Sequence, residues 1–202
     1  MIAGNAKKFS SYSSTSNQFC FRKEDVLTLI EKLTRHEIKE LICKCWMTHD
    51  AMWFANTLFT QGVNQANQLN RAAIKSMVDI EIERLLKAME LSIDQIKSFK
   101  GFKAFFHNIR ELLIPDFMNV IIGFDAPDTI SWRFNEKGCF AYKGVKRLEV
   151  ENQYQCGILY RIQCWLTCLD IPFEMTPVPK TCLMAEQGRC QGHFKCSFNE
   201  QV

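Results

Sequence analysis

The sequence lacks any long apolar run. No stretch of about 18 uncharged apolar residues occurs in its 202 positions, which excludes a membrane-spanning helix. The first residues, MIAGNAKKFSS, also lack the apolar core of a secretory signal peptide. We therefore expect a cytoplasmic protein without a membrane partner.

An excess of charge of one sign is also missing. Lysine and arginine total 25 against 22 aspartate and glutamate, and the two signs are interspersed. A nucleic-acid-binding domain usually carries a clustered basic surface, so we expect no nucleic-acid partner. The sequence further lacks a Gly-rich phosphate loop, a Ser nucleophile elbow and the H-E-x-x-H zinc motif, which excludes three common kinds of catalytic site.

Cysteine, in contrast, is abundant. The chain has ten cysteines, although a chain of this length with 47% hydrophobic residues can bury a core without disulfides. Seven of the ten lie at or after position 139, and filling a core does not require such a skew. In a reducing cytoplasm these cysteines would be core thiols, metal ligands or reactive groups.

Three segments of the chain differ in composition. Residues 1–20 are rich in Ser, Thr, Asn and Gln, which predicts a flexible tail. Residues 21–114 have apolar residues at helical spacing, with one helix that ends at Gly62 and a second over 64–91. Residues 115–202 are the cysteine-rich half, which we expect to fold as one unit with the helical half.

The cysteine-rich half mixes strand and helix patterns. The β-rich runs at 117–124 and 129–134 predict an antiparallel hairpin, and apolar spacing over 156–169 predicts a helix. Two further strands are predicted in PFEMTPV and HFKCSF. The sequence therefore predicts an α+β fold in which long N-terminal helices pack on a small antiparallel sheet of β-β-α-β-β order.

Four cysteines of this half form a candidate metal site. Cys156 opens the predicted helix, whose N-terminal dipole favours a thiolate and lowers the thiol pKa. Cys182 and Cys190 are separated by seven residues that include a glycine turn, and Cys139 follows the first hairpin. Four thiolates would hold Zn²⁺ in a closed tetrahedral site. No C-x-x-C pair is present, and buried free thiols are the alternative interpretation.

Part of this half resembles the 4-vinyl-reductase-type small-molecule-binding domains, which include the phenol-sensing domains of bacterial transcription activators. The matching residues are Cys156, Gly157, Cys182 and Cys190. In the sensors, these cysteines and an acidic residue hold a structural zinc beside an apolar ligand pocket. Pro179 stands at the position of the acid, so we expect Cys139 to supply the fourth bond.

A longer stretch, about residues 48–198, resembles an uncharacterised family of bacterial and archaeal cytosolic proteins. Its hallmark is a His-Asp-x-x-Trp-Phe helix before a cysteine-rich half, and here that helix reads His49-Asp50-Ala51-Met52-Trp53-Phe54. The chain is more distantly similar to the family named for L-2-amino-thiazoline-4-carboxylate hydrolase. These resemblances imply a 4-vinyl-reductase-like fold and a small-molecule ligand, and they leave a reaction open.

A small-molecule pocket usually has apolar walls and a few polar groups. Five residues could supply such a pocket: His49, Trp53, Asn70, Glu81 and Trp132. His49 lies on the apolar stripe of its predicted helix, where it could bind a ligand, act as a general base or be a core histidine. Glu81 lies on the stripe of the next helix and needs a partner when buried, for which Arg84 is available.

Three functions fit these features. The first is a cytoplasmic protein that binds a partly apolar small molecule beside a structural zinc held by the four cysteines. The second is a hydrolase of a small cyclic C–N or C–S compound, with zinc-activated water or a Cys156 nucleophile, for which His49 and Cys156 are the candidate catalytic residues. The third is a dimerising interaction protein without a ligand. Many of the resembled domains pair through their helices, and this resemblance implies a homodimer.

Overall fold

A computed structural model describes residues 28–125, 128–135 and 138–198 of the chain. The predicted tail at 1–20, and Cys20 within it, lie outside the described residues. Within these ranges, no helix is both long enough and apolar enough to cross a membrane.

The first half is helical, as the sequence predicts. The helices are α1 (Leu29–Lys32), α2 (Arg35–Gln61), α3 (Val63–Met89), α4 (Ile93–Ile96) and α5 (Phe99–Leu113). Thr34 begins α2 with a capping box, because its side chain accepts from the backbone N–H of Glu37 and the Glu37 carboxylate accepts from that of Thr34. Gly62 separates α2 from α3 with φ at +84°, a backbone conformation that favours glycine.

Ser98 sets the start of α5. Its hydroxyl accepts a hydrogen bond from the Gly101 backbone N–H at 3.1 Å. An N-capping serine binds the N–H three positions later in this way, so Gly101 lies inside the first turn of the helix.

A four-stranded antiparallel sheet follows. A 3₁₀ turn (Asp116–Met118) leads into β1 (Val120–Asp125) and β2 (Thr129–Phe134), then α6 (Phe140–Arg147), α7 (Gly157–Cys168), β3 (Phe173–Thr176), α8 (Leu183–Gln187) and β4 (Gln191–Cys196). The strand order is β1-β2-β4-β3. At the centre of the sheet Trp132 pairs with Ile122 on one side and with Gly192 on the other.

The α+β prediction is confirmed, with long helices before a small antiparallel sheet. The sequence did not predict α6 or α8. Both are short, and Gly144 together with three basic residues weakens the apolar spacing of α6. Short helices carry too few turns for a periodic signal.

The main core lies between α5, α7 and one face of the sheet. Phe106 of α5 packs edge-to-face on Phe124 of β1 and on Trp165 of α7, with ring centroids 5.5 and 6.1 Å apart. On the opposite face of the sheet His193 and Lys195 are exposed, in alternation with the buried Phe194. The sheet is therefore covered by helices on one side, which is the usual state of a small antiparallel sheet.

Helix α2 corrects the sequence analysis at one point. The apolar stripe that contains His49 and Trp53 was expected to face inward, but it faces solvent. The inner face carries Cys43 and Ala55, which are buried, and Phe54, which is half-buried. The stripe was misassigned because α2 has apolar residues on two faces, and periodicity alone does not tell which face is covered.

Candidate functional site

A cavity of about 260 Å³ lies between α2, α3, α7 and the inner face of the sheet. Its walls are largely apolar and rich in aromatic rings: Trp46, Phe54, Trp132, Phe134, Phe140, Tyr154 and Trp165. Among the lining residues that the structure describes, Asn70, Asp50 and Arg161 bring amide or charged groups. Apolar walls with few polar groups are the usual composition of a small-molecule site.

The predicted ligand-binding residues divide into two groups. Asn70 and Trp132 line the cavity. Glu81 is not in the lining, but it binds Arg161, which is. The structure therefore brings three of the five predicted residues to the cavity or directly behind its wall.

His49 and Trp53 lie outside the cavity, on the exposed face of α2. The His49 side chain is 69% exposed and Trp53 is 66% exposed. The Trp53 indole N–H donates to His49 Nε2 at 3.1 Å, one helical turn away. This placement contradicts the inward position that the sequence suggested for His49, whose imidazole lies 3.7 Å from the Asp50 carboxylate at the rim but does not line the cavity.

Glu81 belongs to a largely buried polar group, in which the side chains of Glu81 and Arg161 are 12% and 18% exposed. We name it the Glu81 cluster: Glu81, Arg161, Trp165 and Trp46. Arg161 Nε donates to Glu81 Oε2 at 3.2 Å, and a second guanidinium N–H donates to Oε1. The Trp165 indole N–H donates to Oε2 at 2.8 Å. The guanidinium centre lies 4.8 Å from the ring centroid of Trp46 and 5.2 Å from that of Trp165. Two charges are thus paired under aromatic cover.

The predicted partner of Glu81 was wrong. Arg84 is three residues away on α3, but it is exposed and faces away from the cluster. Sequence reasoning missed Arg161, which comes from α7, 80 positions along the chain. One signal was available, because Arg161 interrupts the apolar face between Ile158 and Trp165, where an unpaired charge would be costly.

The four predicted metal ligands lie near enough to one another for each thiol to affect the pKa of another, and we name them the cysteine cluster. Cys139, Cys156 and Cys182 are the residues that begin α6, α7 and α8, and Cys190 immediately precedes β4. Cys139, Cys182 and Cys190 are buried and Cys156 is half-buried. Three helix N-termini therefore present a sulfur to one region of the protein.

Helix α3 positions the start of α7. The Asn67 amide donates to the Gln153 carbonyl at 2.8 Å and accepts from the Gln155 backbone N–H at 3.0 Å, which holds the chain just before Cys156. A Cβ at Gly157 would lie 2.9 Å from the Asn70 amide nitrogen, so a larger residue there would displace the Asn70 side chain. The Cys156-Gly157 pair thus sets Cys156 beside the cavity wall.

Burial keeps these thiols protonated. It raises the pKa of Cys139 and Cys190 to about 12 and that of Cys156 to about 11, from an ordinary value near 9. Burial also raises the pKa of Cys182. The neighbouring sulfurs add to these shifts, since each would repel a second thiolate. The expectation that the helix dipole lowers the pKa of Cys156 is corrected, because desolvation outweighs the N-terminal N–H groups.

Backbone N–H groups nevertheless surround three of the sulfurs. Those of Tyr142 and Ala141 lower the pKa of Cys139, and those of Leu159 and Ile158 lower the pKa of Cys156, against the larger effect of burial. Those of Ala185 and Met184 act on the pKa of Cys182 in the same way. Such N–H groups at a helix start stabilise a thiolate once a cation offsets the burial cost.

The fourth sulfur faces a side chain. The Trp132 indole N–H is buried and has no hydrogen-bond partner among the described residues. It lies close enough to Cys190 to lower the pKa of that thiol, against the dominant effect of burial. A buried donor without a partner is rare, and this one lies near a sulfur that a metal would convert to a better acceptor. The residues present therefore fit a thiolate-bound cation in their chemistry.

The sulfurs of the cysteine cluster lie farther apart than the ligand atoms of a closed metal site. Among the described residues, His36, Glu40 and Asp116 form a surface group of possible ligands whose atoms all lie within 4.8 Å of one another, and the cysteine cluster does not meet this criterion. That group is explained without an ion: His36 lies 3.6 Å from the Asp116 carboxylate, and Glu40 accepts from the Asp116 backbone N–H at 2.6 Å. The sulfurs of the cysteine cluster would have to approach one another to share a metal.

Comparison with protein-family models, with curated proteins and with solved structures found no match. The resemblances to 4-vinyl-reductase-type domains and to the other two families therefore stay predictions.

Proposed function

We propose that the protein binds a small, largely apolar molecule in the cavity between its helices and its sheet. The observation that carries the proposal is the cavity itself, whose walls are aromatic and aliphatic and whose polar groups are few. An empty apolar cavity of this kind costs stability, since its lining loses contacts that a filled core would make. A bound molecule would restore those contacts.

The charges around the cavity favour a neutral ligand. Arg161 is the cationic side chain of the described lining, and its charge is already balanced by Glu81. Asp50 is exposed at the rim, so its carboxylate remains hydrated. An anionic ligand would compete with Glu81 for Arg161 and would leave one carboxylate buried without a partner.

The volume limits the size of the ligand. At about 260 Å³, the cavity is slightly smaller than the roughly 300–1,000 Å³ of most small-molecule sites. A single aromatic ring with short substituents suits that space and the edge-to-face contacts that the lining rings can make. The Asn70 amide is available to a hydroxyl, amine or carbonyl on such a ring.

A structural zinc held by Cys139, Cys156, Cys182 and Cys190 completes the proposal. Bound there, the ion would supply a fixed cross-link between the starts of α6, α7 and α8 and the start of β4. The N–H groups near each sulfur support this assignment, because they favour thiolates. A reducing cytoplasm is the matching compartment, since all nine cysteines of the described residues are free.

Binding is better supported than hydrolysis. A nucleophilic Cys156 needs a thiolate near neutral pH, and burial moves its pKa in the opposite direction, to about 11. His49 lies on the outer face of α2 and does not reach the cavity. Within the described residues, neither of the two candidate catalytic side chains is therefore placed for catalysis.

Calorimetric titration with indole and with p-cresol tests ligand binding in the cavity, since both probes are small, neutral aromatic molecules. We expect saturable binding that Ile158→Phe weakens at least about tenfold, because Ile158 lines the cavity and a larger side chain fills it. Leu112→Phe is the matched control, since Leu112 is exposed on α5 away from the cavity. Absence of binding by both probes, or equal losses in the two variants, would overturn the proposal.

A further inference from the structure

The outer face of α2 is apolar and uncovered. We name six of its residues the α2 outer stripe: Leu41, Ile42, Cys45, Met52, Trp53 and Phe59. Its five large side chains are 42–72% exposed. At 3.6 residues per turn, the six positions occupy about one third of the helix circumference, with the exposed His49 and Asn56 between them, so they share one side of the helix rather than being scattered around it.

Charge is missing from this surface. The charged residues of α2 between Leu41 and Phe59 are Lys44 and Asp50, and helical spacing places both outside the sector of the stripe. His49 is the titratable side chain in the middle of the stripe, and its ring accepts the Trp53 indole N–H. Surfaces that stay in contact with water rarely keep so large an area free of charge.

We propose that the α2 outer stripe binds the same stripe of a second copy of this chain, antiparallel and about a two-fold axis near His49. Taking about 200 Å² for a large apolar side chain, the five exposed residues offer about 600 Å² per copy. A stable dimer buries about 800 Å² per partner, and the stripe needs only its immediate polar neighbours to reach that area.

The order of side-chain sizes favours the antiparallel arrangement. Residues at equal distances before and after His49 face each other across such an axis. Cys45 then lies opposite Trp53 of the other copy, so a small side chain meets the largest one, whereas a parallel pair would place Trp53 against Trp53. Antiparallel helices also bring opposite ends of their dipoles together.

This pairing has a consequence for the cavity. Trp46 and Phe54 of α2 line the cavity, and helical spacing places Trp46 beside Trp53 at one edge of the stripe and Phe54 on the inner side of the helix. A second copy packed on the outer face would hold that wall in place, so the dimer and the ligand would stabilise each other.

Sedimentation equilibrium of the full chain over a micromolar concentration series tests the pairing. We expect a dimer, and we expect Ile42→Lys to raise its dissociation constant about 100-fold, because the substitution places two ammonium groups in the interface. Ile121→Lys is the matched control, since Ile121 is 51% exposed on β1 and Ile42 is 61% exposed on α2. Circular dichroism verifies that both variants are folded.

Cross-linking tests the axis. His49→Cys, combined with Cys45→Ser, should give a covalent dimer on mild oxidation, because the two new thiols would meet on the axis. Native Cys45 should not cross-link, since its two copies would lie about 12 Å apart along the helices, beyond disulfide reach. A monomer at every concentration, a dimer insensitive to Ile42→Lys, or cross-linking through Cys45 would each overturn the proposal.

Discussion

Two buried polar groups border the same cavity, and they are satisfied in different ways. In the Glu81 cluster, the carboxylate accepts two hydrogen bonds from Arg161 and one from Trp165, so both charges have partners within the protein. In the cysteine cluster, four thiols stay neutral because burial raises their pKa. The Trp132 indole N–H beside them has no partner among the described residues.

This difference indicates which of the two groups needs a bound ion to satisfy its polar atoms. The Glu81 cluster is complete, because its charges cancel and its hydrogen bonds are made. The N–H groups of the cysteine cluster would make strong hydrogen bonds only to thiolates, and thiolates require a cation at this depth. The comparison therefore separates a structural ion pair from a site that we propose to hold zinc.

Metal analysis gives the largest expected effect. We expect about one zinc per chain in protein purified without added metal, and its loss in Cys182→Ser, because a closed zinc site needs all four ligands. Structural zinc sites contribute free energy on the order of 10 kcal/mol, so the variant should also unfold at a much lower temperature.

The matched control for this test is Cys196→Ala. Cys196 is buried at 3% exposure, but it lies at the end of β4 and points into the main core. The Cys196→Ala variant should keep its zinc, and its free energy of unfolding should fall because packing contacts in the core are lost. Native protein without any bound metal, or equal zinc loss in both variants, would contradict the proposal that the cysteine cluster holds zinc.

Breaking the ion pair gives the next largest effect. Glu81→Gln keeps the shape of the side chain but leaves the Arg161 charge uncompensated, so the free energy of unfolding should fall by about 3 kcal/mol. Urea denaturation at neutral pH measures the loss. Glu83→Gln is the control, because Glu83 is exposed on the same helix and should change stability by less than about 0.5 kcal/mol. A loss below about 1 kcal/mol for Glu81→Gln would show that the pair is not desolvated.

Much of the fold could be predicted from the sequence, because its long elements carry clear periods. Gly62 separated two helices, and alternation in 129–134 gave β2. The error on α2 has a physical origin, since both of its faces are apolar and only one can cover the core. The periodicity of apolar residues does not tell which face of a helix is exposed. That assignment required the positions of the elements that pack against α2.

The site was predictable where a local cause existed. Cys156 was placed at a helix start by spacing alone, and the structure agrees. The partner of Glu81 was not predictable, because Arg161 lies 80 positions away and local spacing offered Arg84 instead. Burial was also unavailable to sequence reasoning, and it reverses the expected direction of the Cys156 pKa shift.

The stability of the metal-free protein at alkaline pH tests the burial of the cysteine cluster. Burial raises the pKa of Cys190 to about 12 from an ordinary value near 9. A raised thiol pKa stabilises the metal-free fold below pH 9, and that contribution is lost as the pH rises from about 9 toward 12. Between pH 9 and 10, metal-free protein should lose about 1 kcal/mol through this thiol. Cys190→Ala should show a correspondingly smaller loss in urea titrations, and identical pH profiles would contradict the burial of the thiol.

A pair of tryptophan substitutions distinguishes the two groups most directly, because it makes one chemical change in each. Trp132→Phe removes the indole N–H beside Cys190, and it should lower zinc affinity about tenfold while changing metal-free stability by no more than about 1 kcal/mol. Trp165→Phe removes an N–H that donates to Glu81 at 2.8 Å, and it should reduce metal-free stability by about 1–2 kcal/mol without affecting zinc affinity. Chelator competition and urea denaturation measure the two quantities. Only a metal-bound thiolate would give the Trp132 N–H a strong acceptor. If both variants bound zinc as tightly as the native chain does, the Trp132 N–H would have no role in metal binding.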